Sequence, residues 1–378
     1  MKKSFLAFSI TVSLSSISAQ AEQINNESAF DLEISNTCII RFSDDISKFD
    51  VEGKARGMLA KASAKAKHIY KNSYKGMAVN VNCNKAKTMF SNNSEIISFI
   101  PDGKIYANPK GGAKPGDGGS NPQVTPWSVT RVGGAVDGVG RTAWVLDTGI
   151  DVDHADLNVD TTRAFSAFTS GRDAGFDDKN GHGTHVAGTI AAIDNDIDVI
   201  GVAAGATVVP VKVLNARGSG SYSGIIAGLD YVAAHASEGD CVNMSLGGGF
   251  SQEVNDAVEN AAQQSGAFFA IAAGNESQSA SNVSPASASG QRIFTISATD
   301  SNDQFASFSN FDNPPVDYAA PGVSILSTKS GGGTTTLSGT SMASPAACAV
   351  LMMTGGNPST DGVATNDPDG TSDPIIHL

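Results

Sequence analysis

"TAWVLDTG", residues 142–149, is the stretch that decides the fold. Four apolar residues run without a break into Asp147, and Thr148 and Gly149 end the run. A short apolar run closed by turn residues reads as a strand buried on both faces. The chain beyond it keeps a rhythm. "GTHVAGTIAAI" (183–193) is helical, "TVVPVKVL" (207–214) a strand and "SGIIAGLDYVAAHA" (223–236) a helix. "CVNMSLGG" (241–248) is a strand, "SQEVNDAVENAAQQSG" (251–266) a helix and "AFFAIAAGN" (267–275) a strand. Strands alternating with helices predict an α/β fold, a parallel sheet with helices on both faces. Chemistry in such folds gathers outside the carboxyl ends of the strands. Asp147, Ser245 to Gly248 and Asn275 all fall there. No internal repeat of 20–50 residues is present.

The front of the chain reads differently. "CIIRF" (38–42) is a strand, and "VEGKARGMLAKASAKAKHIY" (51–70) has helical spacing with lysines on one face. "GMAVNVNC" (76–83) alternates like a strand. "NKAKTMFSNN" (84–93) predicts a short helix capped at Asn84, and "IISFIPDGKIYA" (96–107) two strands around a turn at Pro101-Asp102-Gly103. This order predicts a small α+β, ferredoxin-like domain. "NPKGGAKPGDGGSNPQ" (108–123) is Gly, Pro and small polar residues, the composition of a cuttable linker.

Before all this, Lys2 and Lys3 precede a mostly apolar Phe5–Ile17 and the small-x-small triplet Ala19-Gln20-Ala21. That is the pattern of a secretory leader, 1–21, and it predicts export. No later segment offers ~20 unbroken apolar residues, so no membrane anchor is expected. Export places Cys38, Cys83, Cys241 and Cys348 in an oxidising compartment; four cysteines allow three pairings, and the sequence does not choose among them. Residues 22–110 carry 13 Lys/Arg and 10 Asp/Glu, whereas 111–378 carry 10 and 28. A mildly basic front thus precedes a strongly acidic remainder, which can attract it. A nucleic-acid binder would need the reverse.

"SGTSMASP" (338–345) supplies a candidate nucleophile, Ser341. A hydroxyl needs a base, and the base needs an orienting group. His182 and His185 lie in "NGHGTHVAG" (180–188), where glycines let the backbone approach closely and set His182 at a helix start. The HxxH spacing lacks the pattern of a helical zinc site. Asp147 supplies the third member.

"VLDTGID", "NGHGTHVAG" and "SGTSMASP" together resemble the three signatures of the subtilisin-like serine proteases, in that family's Asp, His, Ser order. "NMSLGG" and "AAGN" add two more. The resemblance runs from about Gln123 to Met353, and the front domain resembles the family's inhibitory propeptide. It implies a secreted endopeptidase made as an autoprocessed zymogen. Ser341 would be the nucleophile, His182 the base, Asp147 its orienter and Asn275 the side-chain donor of the oxyanion hole. Gly218, Ser219 and Gly220, with Ser245, Leu246 and Gly247, would line an extended peptide substrate by backbone pairing. Ala272, Ala273 and Gly274 would line a P1 pocket without buried charge, Glu276 at its rim. That implies broad specificity with an apolar P1 bias.

The resemblance also implies a structural Ca²⁺. "IDNDIDVIGVA" (193–203) matches the family's calcium loop through Ile193 O, Asn195 Oδ1, Ile197 O and Val199 O, completed by Gln123 and Asp156. No catalytic metal or organic cofactor is expected, and the enzyme would act as a monomer. A disulfide across the linker would keep the inhibitor tethered, which leaves Cys38–Cys83 and Cys241–Cys348, two buried thiols being the alternative for the second pair. Maturation would cut between Ile105 and Gln123, with Ala107 or Asn108 at P1. The expected order is therefore leader 1–21, propeptide 22–107, linker 108–122, catalytic domain 123–353 and a polar, Gly/Pro-rich tail 354–378. The family's usual C-terminal helices are missing, so that tail is expected to be loop.

Overall fold

A computed structural model describes residues 29–107, 109 and 121–378. The leader and most of the linker lie outside the described residues. The front domain contains β1 (Cys38–Phe42), α1 (Lys48–Lys61), β2 (Ala66–Tyr70), β3 (Gly76–Val79), α2 (Cys83–Phe90), β4 (Ile96–Pro101) and β5 (Lys104–Tyr106). Its antiparallel sheet has the order β2-β3-β1-β4, the ferredoxin-like arrangement. The sequence pattern suggests one helix through Tyr70; instead the helix ends at Lys61 and β2 pairs with β3. Alanines and lysines favour a helix, but residues 66–70 pair with β3 and seat Tyr70 wholly enclosed, so tertiary pairing overrides the local preference. Helix α2 is capped by Asn82, whose Oδ1 accepts from Lys85 N at 3.0 Å, rather than by Asn84. Its first residue, Cys83, is bonded to Cys38 on β1.

The larger domain contains β6 (Thr142–Asp147), α3 (His182–Ala191), β7 (Thr207–Lys212), β8 (Ser219–Ser221), α4 (Tyr222–His235), β9 (Cys241–Met244), β10 (Gly247–Gly249), α5 (Gln252–Ser265), β11 (Phe268–Ala272), β12 (Ile293–Thr299), β13 (Val316–Pro321) and α6 (Thr340–Thr354). Its central strands lie parallel in the order β7-β6-β9-β11-β12-β13. The chain steps from β6 to β7 on one side, then places β9 on the other. That reversal opens a crevice at the carboxyl end of β6.

Both faces are covered, as the continuous apolar runs require. Trp144 and Leu146 share a core with Ile226 and Leu229 of α4 and Val254 and Val258 of α5. Ala143 and Val145 turn the other way, toward Val186 and Ile190 of α3 and Ala346 and Val350 of α6. Residues 340–352 of α6 are all buried, so this helix is apolar on every side and runs through the core. A disulfide joins Cys348 of α6 to Cys241 of β9, with Cα atoms 5.8 Å apart. Among the described residues no helix is long and apolar enough to cross a membrane.

The tail is not loop. Ser359–Val363 (β14) and Pro374–His377 (β15) form a hairpin, and β15 joins the main sheet parallel to β13. Average polarity hid one short apolar pair: Ile375 and Ile376 are fully enclosed. Asp373 beside them is buried but satisfied by the Ser297 hydroxyl and by Asn313 Nδ2 at 2.7 Å. Truncating Ile376 to Ala should therefore cost about 2–5 kcal/mol in denaturant unfolding, the range for an enclosed core side chain. A loop position would show no measurable change.

Candidate active site

Asp147 is the last residue of β6 and is wholly enclosed; His182 is the first residue of α3 and nearly so. The imidazole Nδ1 lies 2.8 Å from Asp147 Oδ1 and 2.9 Å from Oδ2. Backbone proximity makes this possible. A Cβ on Gly183 would sit 2.1 Å from the Gly149 carbonyl oxygen, so only glycine lets α3 press this close to the strand end. Burial works against a charged imidazole. The charge and hydrogen bond of Asp147, aided by Asp178, outweigh it and hold the ring above the ordinary histidine value. His182 Nε2 is buried and has no hydrogen-bond partner among the described residues.

Ser341 is the second residue of α6, 2% exposed. Its hydroxyl donates to the Ser245 carbonyl at 3.2 Å, and the Ser245 hydroxyl donates back to the Ser341 carbonyl at 2.7 Å. Pro345 explains the second bond. It lacks the N–H that would bond residue 341 in a regular helix, and Ser245 replaces that donor. Asn243 Nδ2 in turn supports Ser245 Oγ at 2.9 Å, and Asn243 Oδ1 accepts from the Ser344 hydroxyl at 2.8 Å. Strand β9 and helix α6 are thus laced together beside the serine.

Asn275 follows the end of β11. Its Oδ1 accepts from Thr340 N at 2.9 Å and Thr340 Oγ1 at 3.1 Å, which leaves the amide nitrogen as the donor end. Sequence reasoning misses Thr340; its only signal is its place beside Ser341. Ala272, Ala273 and Gly274 are buried next to it. Glu276 Oε2 accepts from Asn275 N at 3.0 Å and Asn310 Nδ2 at 2.8 Å. His185 stays structural: Nε2 faces the Ile325 carbonyl at 3.0 Å, and burial, with His182 nearby, pushes the ring down to about 3.

Gly218, Ser219 and Gly220 and, across a gap, Gly247 and Gly248 border one slot, with Ser245 and Leu246 leading into its second side. Strand β5 fills it, antiparallel to both sides. Tyr106 is opposite Ser219 and Gly247, and Ile105 opposite Gly220 and Gly248. Ala107 N donates to the Gly218 carbonyl at 2.8 Å. A Cβ on Gly248 would come 2.6 Å from the Lys104 carbonyl oxygen, so glycine is required for this strand to enter.

The residues matched to a calcium loop also converge. Gln123 Nε2 donates to Ile193 O at 2.8 Å and Val199 O at 3.4 Å. Asn195 Nδ2 donates to Asp156 Oδ1 at 2.8 Å, and Ile197 N to Asn195 Oδ1 at 2.7 Å. Asp156 is wholly enclosed with neutral donors only, and burial, together with the charge of Asp198, lifts it to about 6.

A paired carboxylate and imidazole, a serine at a buried helix start and a strand-binding slot define a serine peptidase site on a parallel α/β sheet. Comparison with known proteins agrees. The Subtilase family model matches residues 140–361. A subtilisin-like serine protease, AsES, of Sarocladium strictum is 39% identical over 330 residues, covering 82% of this chain and 77% of its own. Proteinase R of Parengyodontium album is 38% identical over 314 residues, covering 78% and 74%. The crystal structure of a cold adapted subtilisin-like serine proteinase superimposes with a TM-score of 0.58 at 35% identity, covering 66% of this chain and 97% of that one. The chain belongs to the subtilase family and is a subtilisin-like serine peptidase.

Only a neutral imidazole can take a proton from serine. Because the His182 ring is held up, activity should fall as pH drops through a value above the ~6.5 of ordinary histidine. A kcat/KM profile of the mature enzyme checks this; an acid limb well below 6.5 would contradict it.

Proposed function

We propose that the protein is an exported endopeptidase, made as a zymogen, that cuts extended peptide segments with an apolar preference at P1. The observation that carries this is β5, the end of the front domain, lying in the slot between β8 and β10, with Pro109 beyond it lining the same cleft as His182.

In this reading Ser341 attacks the scissile carbonyl. Its hydroxyl turns from the Ser245 carbonyl and gives its proton to His182 Nε2, whose orphaned state suits that role. Asp147 holds the ring and stabilises its cation. The oxyanion meets the Ser341 N–H at the start of α6 and the Asn275 amide, which Thr340 holds in place. His182 then protonates the leaving amine, and water repeats the cycle on the acyl-enzyme. The P1 preference follows from Ala272 to Gly274, with the nearby Glu276 carboxylate engaged by Asn310 and the Asn275 amide.

Docking of the front domain supports an inhibitory role. Asp102 accepts from Ser223 N at 2.9 Å and Ser223 Oγ at 2.5 Å, capping the first turn of α4. Asp230 of α4 accepts from the amides of Lys71, Asn72 and Ser73 at 3.0, 2.6 and 2.9 Å. Arg41 pairs with Asp256 at 2.5 Å, one contact of the basic front with the acidic remainder. Maturation then cuts after Ala107 or Asn108, the latter outside the described residues. Ser341→Ala should accumulate as the uncut proform without peptidase activity. Mass measurement checks this, and a purified Ser341→Ala chain that still matured would exclude self-processing.

The donor set at residues 193–199 fits Ca²⁺. The Gln123 amide, whose NH₂ group contacts Ile193 O and Val199 O, needs only to turn over to offer an oxygen ligand; for Asn195 the same turn also gives up the bond from Ile197 N. Among the described residues no three His, Cys, Asp or Glu side chains form a metal cluster, so mainly carbonyl and amide oxygens would hold the ion. Bound there, the ion would supply positive charge to the Asp156 carboxylate and pin residues 121–124 to the domain, with no part in the chemistry. Calcium at 100 times its dissociation constant should stabilise the fold by about 2.7 kcal/mol. EDTA should lower the melting temperature, and Asp156→Ala should blunt the response. A melting curve indifferent to EDTA would remove the assignment.

A further inference from the structure

Helix α3 starts without the usual capping side chain. Its cap is Gly181, which has none to offer. The amides of the first turn are satisfied from elsewhere. Gly183 N donates to Thr148 Oγ1 at 2.9 Å, and Thr184 N to Asp178 Oδ2 at 2.9 Å. Thr184 Oγ1 donates to the same oxygen at 2.7 Å, while Asn180 N and Gly181 N both donate to Asp178 Oδ1 at 2.9 Å. Asp178 is 4% exposed and Thr148 wholly enclosed.

Thr148 is held on every side. Its N–H donates to Asp147 Oδ1 at 2.6 Å. Its hydroxyl donates to Asp178 Oδ1 at 2.8 Å while accepting from Gly183. Its carbonyl accepts from the enclosed ammonium of Lys212, which also bonds the Leu214 carbonyl at 3.0 Å. One residue therefore touches the Asp147 carboxylate, the start of the His182 helix and the neighbouring strand.

We infer that Thr148 and Asp178 are positioning residues for the catalytic pair, a buried hydroxyl–carboxylate joint that locks the end of β6 to the start of α3. The inference rests on the assignment of Asp147 and His182 to the triad. His182 is the first residue of α3, so the joint sets where its ring stands relative to Asp147. A carboxylate at a helix start also suits the helix dipole. Its charge acts on His182 as well. The charges acting on that ring are Asp147 from β6 and Asp178 from the preceding loop; Lys212 of β7 bonds the Thr148 carbonyl and acts on the same two carboxylates. His185 on the same helix is neutral, and Lys179 and Lys329 line the adjoining cleft.

Thr148→Val, Thr148→Ser and Asp178→Asn in the mature enzyme test this, with Ser341→Ala cut in trans by the parent enzyme as reference. Thr148→Val keeps shape but loses the hydroxyl; kcat should fall by roughly 10–100-fold with KM little changed, the signature of misplaced catalytic groups. Thr148→Ser retains both hydroxyl contacts and should restore most of kcat. Asp178→Asn removes a negative charge near His182, so the acid limb of kcat/KM should move to lower pH. Variants that melt earlier yet keep the parent kcat and acid limb would overturn the inference, leaving a purely structural cap. If Thr148→Val does not fold, Asp178→Asn decides alone: an unmoved acid limb with parent kcat overturns it. A Ser341→Ala enzyme that stayed active would instead overturn the triad assignment itself.

Discussion

A carboxylate and an imidazole, both removed from water, face each other at the end of β6, and the surrounding architecture answers the cost of keeping them there. A buried carboxylate is tolerable only when fully hydrogen-bonded. Asp147 receives the imidazole and the Thr148 amide. Those donors exist only because a parallel strand ends where a helix begins, and because Gly183 has no side chain to hold the two apart. The helix that carries Ser341 is buried on all sides for a related reason. Its start is tied to the residues just beyond β9 and β11 through Ser245 and Asn275, and it is Ser245 that takes the carbonyl Pro345 leaves unbonded.

The second demand is the open edges around the crevice. β8 and β10 present unpaired backbone on both sides of a gap one strand wide, a surface that attracts any extended chain. Strand β5 completes both ladders at once. Its residues are held through backbone, a kind of contact that depends little on side-chain identity.

Much of this was legible because physics writes it in short motifs. The apolar run at Thr142–Leu146, the glycines around His182 and the serine-rich stretch before Pro345 each have a local cause. The pairings of all four cysteines keep each bond within one domain, as the sequence reading expects. What escaped was decided at a distance. Residues 66–70 carry alanine, lysine and two large apolar side chains, and only β3 alongside makes them a strand. The last hairpin was masked by its polar flanks, since two isoleucines in 25 residues do not shift an average. Thr340, Thr148 and Asp178 bind partners far off in sequence, and a lone threonine or aspartate near a glycine reads as a turn.

If the chain is processed as proposed, the placement of the disulfides bears on the fate of the two pieces. Each bond lies within one domain, so the front domain is joined to the rest by backbone alone. While the chain is whole, the two meet at the millimolar effective concentration that a short tether imposes. One cut turns that into an ordinary bimolecular equilibrium. On the proposed reading the severed piece would then compete at whatever concentration it has outside the cell, and dilution would pull it away. Secretion into a large volume would thus act as the switch, with the docking contacts setting only how far dilution must go.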